Sequence, residues 1–149
     1  MLEQQIEADI KAALLAGDSD KATTLRTVKS VLLNAKVAAG TRDSGLDDAT
    51  VITLLAKESK KRQESADLYV QGGSQDRADK ELAEKAIIDA YLPAQLSEAE
   101  VAALVDEALA QSGVTDPSQM GKVIGLVRAK AGASADGGLI ARLVKEKLA

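Results

Sequence analysis

Tyr91-Leu92-Pro93-Ala94-Gln95-Leu96-Ser97-Glu98-Ala99-Glu100 stops one helix and starts another within ten residues. Proline disfavours the α conformation at Leu92 and has no N–H to continue a helical ladder. Ser97 followed three residues later by Glu100 is a capping box: the hydroxyl accepts from the third helical N–H, and the carboxylate reaches back to the Ser97 N–H. The stretch predicts two helical parts, residues 1–92 and 93–149.

Helical spacing of apolar residues extends from this boundary in both directions. Toward the N-terminus, Leu2, Ile6, Ile10 and Leu14 recur every four residues up to Gly17. Leu25, Val28, Leu32 and Ala35 mark a second helix, from about Asp20 to Ala39, with Gly40 as its stop. Asp47 or Asp48 caps a third helix reaching about Gln71, and Asp76 or Asp79 is the expected start of a fourth, ending at Tyr91. Toward the C-terminus, Val101, Leu104, Val105 and Ala108 form a fifth stripe, ended by Gly113. Asp116-Pro117 opens a sixth helix, and Asp136 or Gly137 a seventh, which sends Leu139, Ile140, Leu143, Val144 and Leu148 inward. No alternating strand pattern of useful length occurs. The expected class is all-α, a four-helix part followed by a small three-helix part.

Composition narrows the chemistry. The chain of 149 residues has no His, Cys, Phe or Trp, and Tyr69 and Tyr91 are its only rings. Its core must be Leu, Ile, Val and Ala. Without His or Cys, the usual general base, metal ligand and thiolate nucleophile are missing, so no catalytic residue, metal or cofactor is expected. The N-terminus lacks a basic segment leading into an apolar run, and no apolar stretch approaches the roughly 20 residues that span a bilayer. The expectation is a cytoplasmic protein with no membrane partner.

Charge is uneven. The whole chain carries −4, yet from Pro117 onward six basic residues (Lys122, Arg128, Lys130, Arg142, Lys145, Lys147) face only Asp136 and Glu146. A basic helical pair on an acidic chain suggests an anion partner, and nucleic acid is the first candidate. Within it, Gly121 and Gly125 of Met120-Gly121-Lys122-Val123-Ile124-Gly125 lie on one helix face. Glycine inside a helix costs about 1 kcal/mol relative to alanine, so something is expected to approach the backbone there. Two readings fit: a close helix crossing, or a sugar-phosphate backbone with Lys122 beside it. Gly137, after the capping Asp136, supplies backbone freedom and free N–H groups at a helix start. No aromatic residue in this segment stacks on a base, so contact with the nucleic-acid backbone is expected rather than base readout.

The third helix turns polar in its second half. Glu58 and Arg62 continue the inward stripe of Val51 and Leu55 one turn apart, and are expected to pair, with Ser65 and Tyr69 adding hydrogen bonds.

Three blocks of this sequence resemble the YqeY-like proteins, which are related to the C-terminal region of the B subunit of the tRNA-dependent Asp/Glu amidotransferase. They are L-R-T-V-K-S-V-L (Leu25 to Leu32), the Lys61 to Glu100 segment with Y-L-P-A-Q-L-S-E, and M-G-K-V-I-G followed by A-D-G-G-L-I-A-R-L-V-K-E-K-L from Ala135. The resemblance implies a two-part helical protein related to a tRNA-contacting tail whose catalytic machinery lies in other domains and subunits. Two departures remove basic loop residues that family members often carry: Ser74 follows Gly73, and Ala133-Ser134 occupies the second such position. Both lower the expected phosphate affinity.

The leading expectation is a non-catalytic module binding tRNA weakly through Lys122, Arg128, Lys130, Arg142 and Lys145, with backbone approach at Gly121, Gly125 and Gly137. The alternative is a protein-interaction module docking to an aminoacylation or amidation enzyme. A third reading, a glutamine-dependent tRNA amidotransferase, rests on the family name alone, because no phosphate-binding G-x-x-x-x-G-K-[S/T] loop is present.

Overall fold

The computed structural model describes residues 1–149 and contains seven α-helices, two short 3₁₀ turns and no strand. The chain divides into two compact units, Met1–Leu92 and Pro93–Ala149.

In the first unit, α1 (Leu2–Leu15) and α2 (Ser19–Ala39) pack as one hairpin, and α3 (Asp48–Gln71) and α4 (Gln75–Asp89) as another. Local chemistry sets the ends. Asp18 accepts the Lys21 N–H at the start of α2, and Asp47 accepts the Thr50 N–H at the start of α3. Gly40, at φ +69°, turns the chain out of α2 in the left-handed region that glycine enters without a Cβ clash. The sequence placed the start of α4 at Asp76 or Asp79. The helix instead begins at Gln75 after Ser74, whose side chain makes no capping bond.

The core of this unit joins Ile6 and Ile10 from α1, Leu25, Val28 and Leu32 from α2, Val51 and Leu55 from α3, and Ile88 from α4. Burying each aliphatic side chain contributes about 1.5–3 kcal/mol before chain entropy is counted. Ala66 and Ala78 are fully buried, which lets α3 and α4 approach closely beyond the aliphatic core. The α2–α3 connection is tied back to α1: Glu3 accepts the Leu46 N–H at 3.0 Å. Gly45, at φ +80°, leaves space for that carboxylate, since a Cβ there would sit 2.8 Å from Glu3 Oε2.

The second unit contains α5 (Glu98–Ser112), α6 (Met120–Ala131) and α7 (Gly137–Leu148). Both bonds of the Ser97–Glu100 capping box are made. The residues after Asp116-Pro117 first form a 3₁₀ turn, Pro117–Gln119, and the α-helix proper starts at Met120. Val101, Val105 and Ala108 from α5, Val114 from the connection that follows it, Val123 and Val127 from α6, and Ile140, Leu143 and Val144 from α7 make the core. The Leu96 N–H donates to the Ser134 carbonyl at 2.8 Å and binds the entry of α5 to the α6–α7 turn.

Candidate nucleic-acid interface

Turning Val123, Val127 and Ala131 inward leaves Gly121, Lys122, Gly125 and Arg128 on the exposed side of α6. A Cβ placed on Gly121 or Gly125 would meet nothing within 4 Å. The close-crossing reading of these glycines is therefore corrected: no helix packs on them. They expose bare helical backbone at a position where alanine would give a more stable helix.

The turn between α6 and α7 is set by Gly132, at φ +54°, and by Asp136, which accepts the Leu139 N–H at 3.3 Å and caps α7. Gly137, the first residue of α7, lies against the Arg128 guanidinium, which occupies the space a Cβ would need. Arg128 is exposed. It thus places a cation beside a helix N-terminus, where the macrodipole is also positive.

The five basic residues expected to meet phosphate fall into two groups. Lys122, Arg128 and Lys145 are exposed and have no carboxylate partner. Lys130 and Arg142 are engaged by α5. Lys130 pairs with Glu107, and Arg142 lies 3.0 Å from Glu98 and 3.0 Å from Glu146 on its own helix. These carboxylates hold the Arg142 guanidinium more firmly protonated than usual, Glu98 contributing most. Lys147, outside the expected set, lies 3.0 Å from Asp106. Residues 93–116 contribute five acidic residues and no basic one, so the whole unit has six basic against seven acidic residues. The basic surplus of the tail is answered by α5 within the same unit.

The first unit separates Glu58 from Arg62. Glu58 is buried and pairs with Lys61 at 3.1 Å, while Arg62 Nε lies 3.1 Å from Glu84 and 3.9 Å from Glu81. The reason is α4, which runs along α3 and presents two carboxylates to Arg62. The buried Nε–H is not aligned on either oxygen, so the contact is one of charge. Ser65 and Tyr69 add no hydrogen bond to them; the Tyr69 ring lies 5.9 Å from the Arg77 guanidinium. The sequence missed Ser59, buried and hydrogen-bonded to Asp89, whose other oxygen binds Lys85 at 2.6 Å.

It also missed Asp9. This carboxylate accepts from Tyr91 Oη on one oxygen and from Gln5 Nε2, at 3.0 Å, on the other. Burial first, then the hydrogen bond to Asp9 and its negative charge, push the Tyr91 hydroxyl above the usual phenol range. The two residues line a shallow cleft of about 480 Å³ with Gln5, Lys21 and Ile87. The spacing of 82 residues between Asp9 and Tyr91 carries no local signal of their meeting.

The family model described as Yqey-like protein matches residues 3–148. Among curated relatives, the chain is 33% identical over 89 residues to "Altered inheritance of mitochondria protein 41, mitochondrial" of Eremothecium gossypii, covering 60% of this chain and 48% of that one. The protein of the same name in Vanderwaltozyma polyspora is 32% identical over 58% of this chain and 46% of its own. That of Kluyveromyces lactis is 30% identical over 82% of this chain and 66% of its own. The chain thus spans about half the length of the first two relatives and two thirds of the third. All three relatives are named as mitochondrial proteins, which overturns the cytoplasmic expectation. No helix is long and apolar enough to cross a membrane.

Proposed function

The chain belongs to the Yqey-like protein family, and from that premise we propose that it is a non-catalytic helical module whose C-terminal unit holds a tRNA backbone weakly. One observation carries the reading: Gly121 and Gly125 leave the backbone of α6 open beside Lys122. A phosphate backbone can approach a glycine face more closely than any face bearing Cβ atoms. The relation of the family to a tRNA-contacting amidotransferase tail supplies the partner class.

The binding cations in this reading are Lys122, Arg128 and Lys145, three of the five named from sequence, because α5 engages Lys130 and Arg142. Three phosphate contacts correspond to a log–log salt slope of about −2 to −3. Such binding is sequence-independent and serves retention of tRNA rather than choice among tRNAs.

Fluorescence anisotropy with labelled bulk tRNA at low salt tests the proposal. Binding is expected to fade as salt rises and to be lost in the Lys122→Ala, Arg128→Ala, Lys145→Ala triple variant. Affinity that is absent from the wild type, or unchanged in the triple variant, overturns it.

A further inference from the structure

Three cross-helix ion pairs in the second unit have their carboxylate on α5 and their cation on α6 or α7: Glu107 with Lys130, Glu98 with Arg142, and Asp106 with Lys147. We infer that the carboxylates of α5 are a built-in competitor for polyanions, occupying cations of α6 and α7 that would otherwise meet phosphate and so limiting how tightly the unit binds nucleic acid. The inference rests on the tRNA reading above and concerns the regulation of that same surface.

The geometry suits a competitor better than a clamp. All six side chains are substantially exposed, between 39% and 62%. Exposed pairs contribute little to stability, because water solvates both partners well and two long side chains must be ordered. The core beneath, from Val101 and Val105 to Val127 and Ile140, already joins the three helices. The pairs are therefore easily exchanged: an incoming phosphate can replace a carboxylate at each cation. Every such exchange leaves the displaced carboxylate close to the incoming anion, which opposes it.

The three cations are not held alike. Arg142 has a second carboxylate, Glu146, one turn along α7, and stays occupied when Glu98 is removed. Lys130 and Lys147 each have one partner. Neutralising α5 thus adds two phosphate-binding cations to the three that are already free.

The test compares four full-length proteins in the tRNA titration across a salt series. They are the wild type, Glu98→Gln/Asp106→Asn/Glu107→Gln, a control of equal net charge (Asp20→Asn/Asp43→Asn/Asp76→Asn), and the α5 variant further carrying Lys130→Gln and Lys147→Gln. The α5 variant is expected to bind about tenfold tighter at low salt, its slope steepening by about 1.4 to 1.8 for two further phosphates. The control should gain less than about twofold, since its neutralised acids oppose no phosphate at this surface. Adding Lys130→Gln and Lys147→Gln should return affinity and slope to the wild-type values.

A gain in the control equal to that of the α5 variant overturns the inference, as does a gain that survives loss of both lysines. In either case the tRNA reading stands if the wild type binds. Binding by the α5 variant but not by the wild type supports the competitor and removes tRNA retention from the unmodified chain. No binding by any of the four overturns both. Glu107→Gln alone, which releases only Lys130, repeats the test should the triple variant fold poorly; a slope unchanged from wild type counts against the competitor.

Discussion

Glu3 on α1 lies 2.9 Å from Lys36 near the end of α2, with both side chains about four-fifths buried. The same carboxylate receives the Leu46 N–H, so one side chain fastens the α1–α2 hairpin to the loop that leads into α3.

Glu3→Gln should destabilise the protein by about 1 kcal/mol at neutral pH, the net worth of a partly shielded charged hydrogen bond. Burial opposes ionisation of Glu3, but the Lys36 hydrogen bond, the Leu46 N–H and the Lys36 charge outweigh it and hold the carboxyl below its ordinary range. Its contribution is then fully present above the unfolded value of about 4.3 and lost as pH falls through the lower folded value. Urea midpoints measured between neutral and acidic pH should converge for wild type and variant at the acid end.

Tyr91→Phe should cost about 1 kcal/mol by leaving Asp9 without its hydroxyl donor. The folded hydroxyl ionises later than an unfolded one, so its stabilisation holds below the unfolded value of about 10 and is lost as pH rises through the folded value. Ultraviolet titration of a Tyr69→Phe variant, in which Tyr91 is the remaining ring, should show phenolate absorbance appearing above the range of free tyrosine.

Gly121→Ala and Gly125→Ala should each stabilise α6 by about 0.5–1 kcal/mol, because alanine is the better helix former and both positions face open space. Under the proposed tRNA reading the same changes should weaken binding, since two methyl groups would stand on the glycine face that it assigns to the phosphate backbone. A double variant with a raised thermal midpoint and unaltered tRNA affinity would remove the glycine face from the interface.

Ile140→Ala should destabilise the second unit by about 2–5 kcal/mol, through lost transfer energy and the cavity left behind. Ile140 is completely buried in a core whose other buried members are mostly valines. Amide hydrogen exchange should show protection falling along α5, α6 and α7.

The helical class, and most helix starts, were legible because capping is local. Ser97 and Glu100, Asp116 with Ser118, and Asp136 with Leu139 act within three residues of one another. The start of α4 was misread because two nearby aspartates offered better caps than Ser74, which makes no capping bond. Charge partnering was not legible at all. Arg62 found Glu84 rather than Glu58, and Lys130 found Glu107, because both partners sit on a different helix. The glycine pair shows a further limit: spacing of four places Gly121 and Gly125 on one face, but helix packing decides whether that face is buried or open.

Each of the hairpins α1–α2, α3–α4, α5–α6 and α6–α7 pairs a helix with its immediate successor in the chain. Most of the structure can therefore close over short loops, before any distant segment has to be found. Helical proteins rich in such local contacts fold in roughly microseconds to milliseconds. Synthesised from its N-terminus, this chain can complete one hairpin after another as each second helix emerges. Little apolar surface then waits exposed for a partner, an advantage for a protein whose aliphatic core has no large aromatic side chain to anchor it.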